Sequence, residues 1–92
     1  MSVTVILRGS IAAHLKSSKF VIEIDDGLVL DEVLQELIRS STEIQRFWST
    51  PDSINRDALV LINETDVGLT GGLKSKVNQG DVIIILPLVH GG

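Results

Sequence analysis

Positions 3–8 (VTVILR) are β-branched or aliphatic and stop at Gly9-Ser10, the pattern of a strand running into a loop. The connection over 9–19 keeps apolar residues at Ile11, Ala12, Ala13 and Leu15, so it is expected to fold back onto the body. Positions 20–25 (FVIEID) set Phe20, Ile22 and Ile24 against Val21, Glu23 and Asp25, which reads as a second strand closed by a turn at Asp26-Gly27. Between 29 and 41 the apolar residues Leu30, Val33, Leu34, Leu37 and Ile38 fall on one helical face, with Asp31 and Glu32 in the first turn and Arg39 near the end. Val29 offers no capping side chain.

The stretch 42–57 is mixed and reads as a folded loop, with a short helical turn over 43–48 and turn chemistry at Thr50-Pro51-Asp52-Ser53. Phe47 and Trp48 are expected to anchor it by burial. Positions 58–63 (ALVLIN) form a third strand, 63–66 a turn, and 67–69 a further short strand. After Gly71-Gly72 and a turn over 78–81, positions 82–86 are apolar at both parities: Val82, Ile84 and Leu86, and between them Ile83 and Ile85. A strand of that kind belongs mid-sheet. Whichever set faces away from the helix is either covered by 42–57 or left as an apolar patch for a partner. Pro87 cannot donate to a ladder, which divides the chain into a folded domain, 1–87, and a free tail, 88–92. The order predicts an α+β fold: a mixed five-stranded sheet with one main helix packed on one face.

Length allows one domain of 92 residues. Cysteine is absent, which removes disulfides, thiolate metal sites, iron–sulfur clusters and a side-chain thiol nucleophile. A net charge of −4, and only Phe20, Phe47 and Trp48 as aromatics, argue against direct nucleic-acid binding. No run approaches the ~18 apolar residues of a membrane span, and no basic leader precedes the first strand, so a cytoplasmic protein without membrane attachment is expected. His14 and His90 are too few for a metal site, and no bound metal or cofactor is expected. The pairs Asp25-Asp26 and Asp31-Glu32 read as turn and helix-start residues, and Gly71-Gly72 lacks the Gly-Lys-Ser/Thr spacing of a phosphate loop.

Chemistry concentrates at Gly91-Gly92. A carboxylate is a poor electrophile, and ATP can convert it into an acyl-adenylate with a better leaving group. Lacking Cβ, Gly91 and Gly92 let the backbone lie in a narrow channel where any side chain would crowd the attack. A persulfide sulfur supplied by a partner then gives a thiocarboxylate, and a lysine amine gives an isopeptide bond. The chain supplies the acyl group rather than catalysis, and no catalytic residue is assigned.

The stretch from 59 to 92, LVLINETDVGLTGGLKSKVNQGDVIIILPLVHGG, resembles the end of the ubiquitin-related modifier family, in which a strand, an Asn-acidic turn, a Gly-Asp turn and a last strand lead to His-Gly-Gly. The family is similar to the small subunit of molybdopterin synthase, which Pro87 resembles, while His90 resembles the modifiers. The resemblance implies the ubiquitin-like β-grasp fold, with first and last strands paired at the sheet centre. It also implies activation of Gly92 by an E1-like adenylating enzyme, with the ATP used by that enzyme, and contacts to it from Leu88, Val89, His90 and Gly91. Further implied partners are a sulfur-transfer enzyme or the molybdopterin synthase large subunit, with use of the thiocarboxylate in tRNA thiolation, conjugation to target lysines, or molybdenum cofactor synthesis. Lys16, Lys19, Lys74 and Lys76 are candidate acceptors of self-conjugation, set against the plainer role of solvated surface lysines. A β-grasp adaptor that binds without covalent chemistry is the alternative from another class.

Overall fold

The computed structural model describes residues 1–25 and 27–88; Asp26, Val89, His90, Gly91 and Gly92 lie outside the described residues. Strand β1 (Ser2–Leu7) pairs antiparallel with β2 (Lys19–Glu23) on one side and parallel with β5 (Val82–Pro87) on the other. Strand β3 (Ala58–Ile62) runs antiparallel to β5, and β4 (Thr65–Asp66) completes the order β2-β1-β5-β3-β4. First and last strands therefore meet at the centre, as the resemblance implies.

Helix α1 (Leu30–Ser40) buries the whole predicted stripe, Leu30, Val33, Leu34, Leu37 and Ile38, against Val3, Val5, Val60, Ile83 and Ile85 in one core. Its N-cap, Val29, makes no side-chain hydrogen bond. The orphan donor is satisfied from elsewhere: the Leu30 N–H donates to Ser75 O at 2.8 Å, and the Val77 N–H donates to Leu28 O at 3.1 Å. The segment around Ser75 thus fixes where the helix starts.

Three stretches differ from the sequence pattern. The 42–57 region is two helices rather than a loop, α2 (Thr42–Gln45) and α3 (Pro51–Asp57). Thr50 caps α3 by accepting from the Ser53 N–H at 3.2 Å, Ser53 Oγ accepts from the Thr50 N–H at 3.3 Å, and Pro51 takes the first helical turn. The residues read as a turn are a helix start, because the same residue types serve both. Trp48 is buried as expected, whereas Phe47 stays 44% exposed.

The expected strand at 67–69 is instead a 3₁₀ turn, Val67–Leu69, and the strand sits just before it at Thr65–Asp66. Asp66 Oδ1 accepts from the Gly68 N–H at 2.8 Å and bends the chain where extension was expected. The turn itself is tight, with Asn63 and Glu64 both at positive φ, 48° and 70°. Finally, pairing continues past Pro87: the Leu88 N–H donates to Asp57 O at 2.8 Å, so the chain is held one residue beyond the proline. The 9–19 connection does fold back, through a 3₁₀ turn at Ser10–His14 that buries Ile11.

Candidate functional site

Alternation on β5 divides its side chains between two environments. Ile83 and Ile85 point at α1 and are 0% exposed, while Val82 and Ile84 are half-buried and Leu86 is 38% exposed on the opposite face. Register places Ile84 between Ile6 of β1 and Leu61 of β3, and Leu86 beside Leu59. With Val82, these five residues make a continuous aliphatic stripe across the three central strands. Helices α2 and α3 pack on the inner side, through Ile44 and Ile54, and leave the stripe uncovered. The alternative that 42–57 covers the outer face is thereby removed.

One end of the stripe opens into a recess of about 360 Å³ lined by Ile6, Arg8, Asn63, Glu64, Val82 and Ile84. At its other end Leu86 closes on Gly9, whose φ of +83° only glycine adopts freely, and where a Cβ would lie 3.2 Å from Leu86 Cδ1. Asn63 ties the β3–β4 turn to the start of β5: its Nδ2 donates to Asp81 Oδ1 at 2.8 Å, and its Oδ1 accepts from the Val82 N–H at 2.9 Å. Asp81 Oδ2 also accepts from the Asn78 N–H at 2.8 Å, which holds the turn leading into β5. The strand that carries the C-terminal residues is therefore fixed at its entry, along both edges and at its exit.

At that exit, Asp57 O holds Leu88, and Arg56 Nε donates to Asp57 Oδ1 at 3.1 Å. This hydrogen bond, helped by the opposite charge, raises the Arg56 pKa from its ordinary value. Leu88 is 53% exposed. The other predicted tail residues, Val89, His90, Gly91 and Gly92, lie outside the described residues.

The four candidate acceptor lysines are all exposed and are not gathered. Lys16 follows the 3₁₀ turn, and its N–H donates to Glu43 Oε2 at 3.1 Å. Lys19 opens the edge strand β2, while Lys74 and Lys76 flank Ser75 beside Thr70. Gly71 and Gly72 are turn residues at φ 116° and 60°. Among the described residues no group of three His, Asp or Glu side chains could hold a metal ion, and no helix is long and apolar enough to cross a membrane.

The family model described as Urm1 (Ubiquitin related modifier) matches residues 6–92, nearly the whole chain. The chain belongs to the Urm1 family. Among relatives, it is 32% identical to the sulfur carrier protein CysO of Mycobacterium tuberculosis over 95 residues, with 100% of each chain covered. A solved chain of the BexX/CysO complex from Amycolatopsis orientalis is 28% identical, with a TM-score of 0.70 and coverage of 98% of this chain and 99% of that one. SAMP1 from Haloferax volcanii, 19% identical, matches in fold over 100% of both chains with a TM-score of 0.78.

The sequence pattern led to the family but missed Ile6, Leu59 and Leu61 as parts of the outer stripe. The signal was available: the strand residues at 3–8 and 58–63, like those of β5, are apolar on both parities in part, with Ile6 between Val5 and Leu7 and Leu59 and Leu61 around Val60.

Proposed function

We propose that this protein is a ubiquitin-like sulfur carrier and modifier whose Gly92 carboxylate is adenylated by an E1-like enzyme and converted to a thiocarboxylate. The observation that carries the reading is a central strand held by hydrogen bonds as far as Leu88, in a chain of the Urm1 family whose sequence continues from there as Val-His-Gly-Gly. A rigid base fixes where the acyl end emerges and leaves the last residues to enter a narrow channel.

The proposed steps are as follows. A Gly92 carboxylate oxygen attacks the α-phosphorus of ATP in the activating enzyme, and pyrophosphate leaves. A partner's persulfide sulfur then attacks the Gly92 carbonyl and AMP leaves, giving an acyl disulfide. Thiol reduction of its S–S bond releases the terminal thiocarboxylate. This chain supplies only the acyl group; nucleotide, nucleophile and reductant come from the partners. The outer stripe, Ile6, Leu59, Leu61, Val82, Ile84 and Leu86, is the surface that seats the activating enzyme, because it is apolar, continuous and uncovered. The work is placed in the cytoplasm, where ATP and reduced thiols are supplied.

The acceptor of the sulfur or acyl group is set by the consuming enzyme: a tRNA-thiolating enzyme, the large subunit of a molybdopterin synthase, or a target lysine. Intact mass spectrometry of the protein from its native host tests the reading. The expected species carries one sulfur in place of one terminal oxygen, and deletion of Gly91-Gly92 removes both that species and all ATP-dependent transfer. A deletion variant that retains full biological activity would establish the non-covalent adaptor instead.

A further inference from the structure

A second apolar feature lies at the exit of β5, separate from the outer stripe. Ile11 and Trp48, both nearly buried, form the floor of a recess of about 330 Å³, and Phe47, Pro87 and Leu88 form its walls. Ser10, His14 and Asp57 rim it. Phe47 and Leu88 are large apolar side chains left substantially exposed, and they border the same hollow.

The backbone is held on both sides of the recess. The Phe47 N–H donates to Ile44 O at 2.9 Å, the Trp48 N–H donates to the same oxygen at 3.0 Å, and the two rings sit 6.3 Å apart at 54°. On the other side the Leu88 N–H is held by Asp57 O at 2.8 Å. A preformed apolar hollow loses little side-chain freedom when it is filled, which favours binding.

Chain length says what fills it. Four residues separate Leu88 from the Gly92 carboxyl, and at ~3.3–3.6 Å per residue they span at most about 14 Å. Any enzyme that encloses that carboxyl with a nucleotide must bring its own surface within this distance of Leu88, a wall of the recess. A free small molecule is a poor occupant, because a hollow this open leaves much of a ligand in water, whereas ligand sites enclose most of theirs.

We propose that this recess receives a bulky apolar side chain of the enzyme that adenylates Gly92, as a second anchor beside the outer stripe; the proposal rests on the adenylation reading above. The anchor locks the root of the tail in line with the nucleotide site, while the stripe supplies most of the contact area. Truncating Phe47 removes one wall of the recess at little cost to the fold, because its ring lies partly in solvent.

The test uses the full-length protein and its activating enzyme in ATP–pyrophosphate exchange. With Phe47→Ala, the KM for this protein is expected to rise roughly 10-fold with kcat unchanged, as for loss of an aromatic interface anchor. Phe47→Leu should stay within about twofold of the starting KM, and Ser10→Arg, which blocks the mouth without touching the core, should reproduce the rise. An unchanged KM in Phe47→Ala overturns the proposal. So does a lowered KM, which would mean that the chain's own last residues occupy the recess, or a change in oligomeric state, which would assign it to a second copy. If the unaltered protein supports no exchange, the adenylation reading falls and the recess assignment with it. Exchange with an indifferent Phe47 removes the recess alone.

Discussion

Ile83 and Ile85 on β5 meet α1 and lose all contact with solvent, while their neighbours Ile84 and Leu86, of the same size and chemistry, face outward, Ile84 half-buried and Leu86 38% exposed. Burying an aliphatic side chain of this size fully stabilises by about 1.5–3 kcal/mol, and the inner face collects that several times over. The outer face forgoes much of it. Folding alone would be served as well by Thr or Lys at those outward positions, as at Thr4 on β1 and Lys19 on β2. The contrast teaches that one strand carries two specifications: one face makes the domain stable, and the other holds apolar residues that the fold does not need, the face proposed above to seat the activating enzyme.

The largest effect should come from the inner face. Ile85→Ala removes buried methyl groups from a site enclosed on every side, and the expected loss is about 2–5 kcal/mol. For a domain of this size that lowers the Tm by about 10–30 °C. Thermal unfolding followed by circular dichroism measures it; a drop of only a few degrees would show that α1 relaxes onto the gap and that the inner face is less tightly specified than its exposure implies.

A substitution one position earlier should reverse the balance. Ile84→Ser places a small polar residue between Ile6 and Leu61, where the environment is half-wet, so stability should fall by about 1 kcal/mol, the span of strand propensities. Adenylation is where this change should register, with kcat/KM reduced roughly 10-fold through KM. Equal losses of stability in Ile84→Ser and Ile85→Ala would break the comparison, because both faces would then be core.

How much of this was legible in the sequence depends on how each element declares itself. Helix α1 was readable because five apolar residues repeat on one face within eleven positions, and β5 because its apolar run matches a central strand. Helix α3 was not: only Pro51 and Ile54 of its seven residues turn inward, too few for a periodic stripe, and its cap is written in residues that also make turns. The 67–69 stretch failed for a local reason, the capture of the Gly68 N–H by the Asp66 carboxylate, which propensity does not register. Phe47 and Trp48 were expected to share one role, yet adjacent residues at a helix end point in different directions, and only Trp48 reaches the core. For the site, Gly92 is an expectation from the terminal Gly-Gly motif, the Val-His before it and the order of elements, and it lies outside the described residues, while the outer stripe needed register: Ile6, Leu61 and Ile84 become neighbours only once β1, β3 and β5 are aligned.

The smallest expected effect sharpens the comparison by leaving both faces intact. Glu64 sits at φ 70° in the tight turn between β3 and β4, at the rim of the outer face. A left-handed conformation costs a residue with a Cβ about 1–2 kcal/mol, and glycine escapes that while losing about 0.5–1 kcal/mol more chain entropy on folding. Glu64→Gly should therefore stabilise by about 0.5 kcal/mol, seen as a rise in Tm of about 2–4 °C, with adenylation kinetics within about twofold of the starting values. Glu64→Ala separates backbone from charge: it removes the carboxylate but keeps the Cβ, so it should give none of the gain. If alanine stabilises as much as glycine, the unfavourable element at this position is the acidic group beside the apolar rim rather than the left-handed backbone, and the rim must then be counted as part of the outer face.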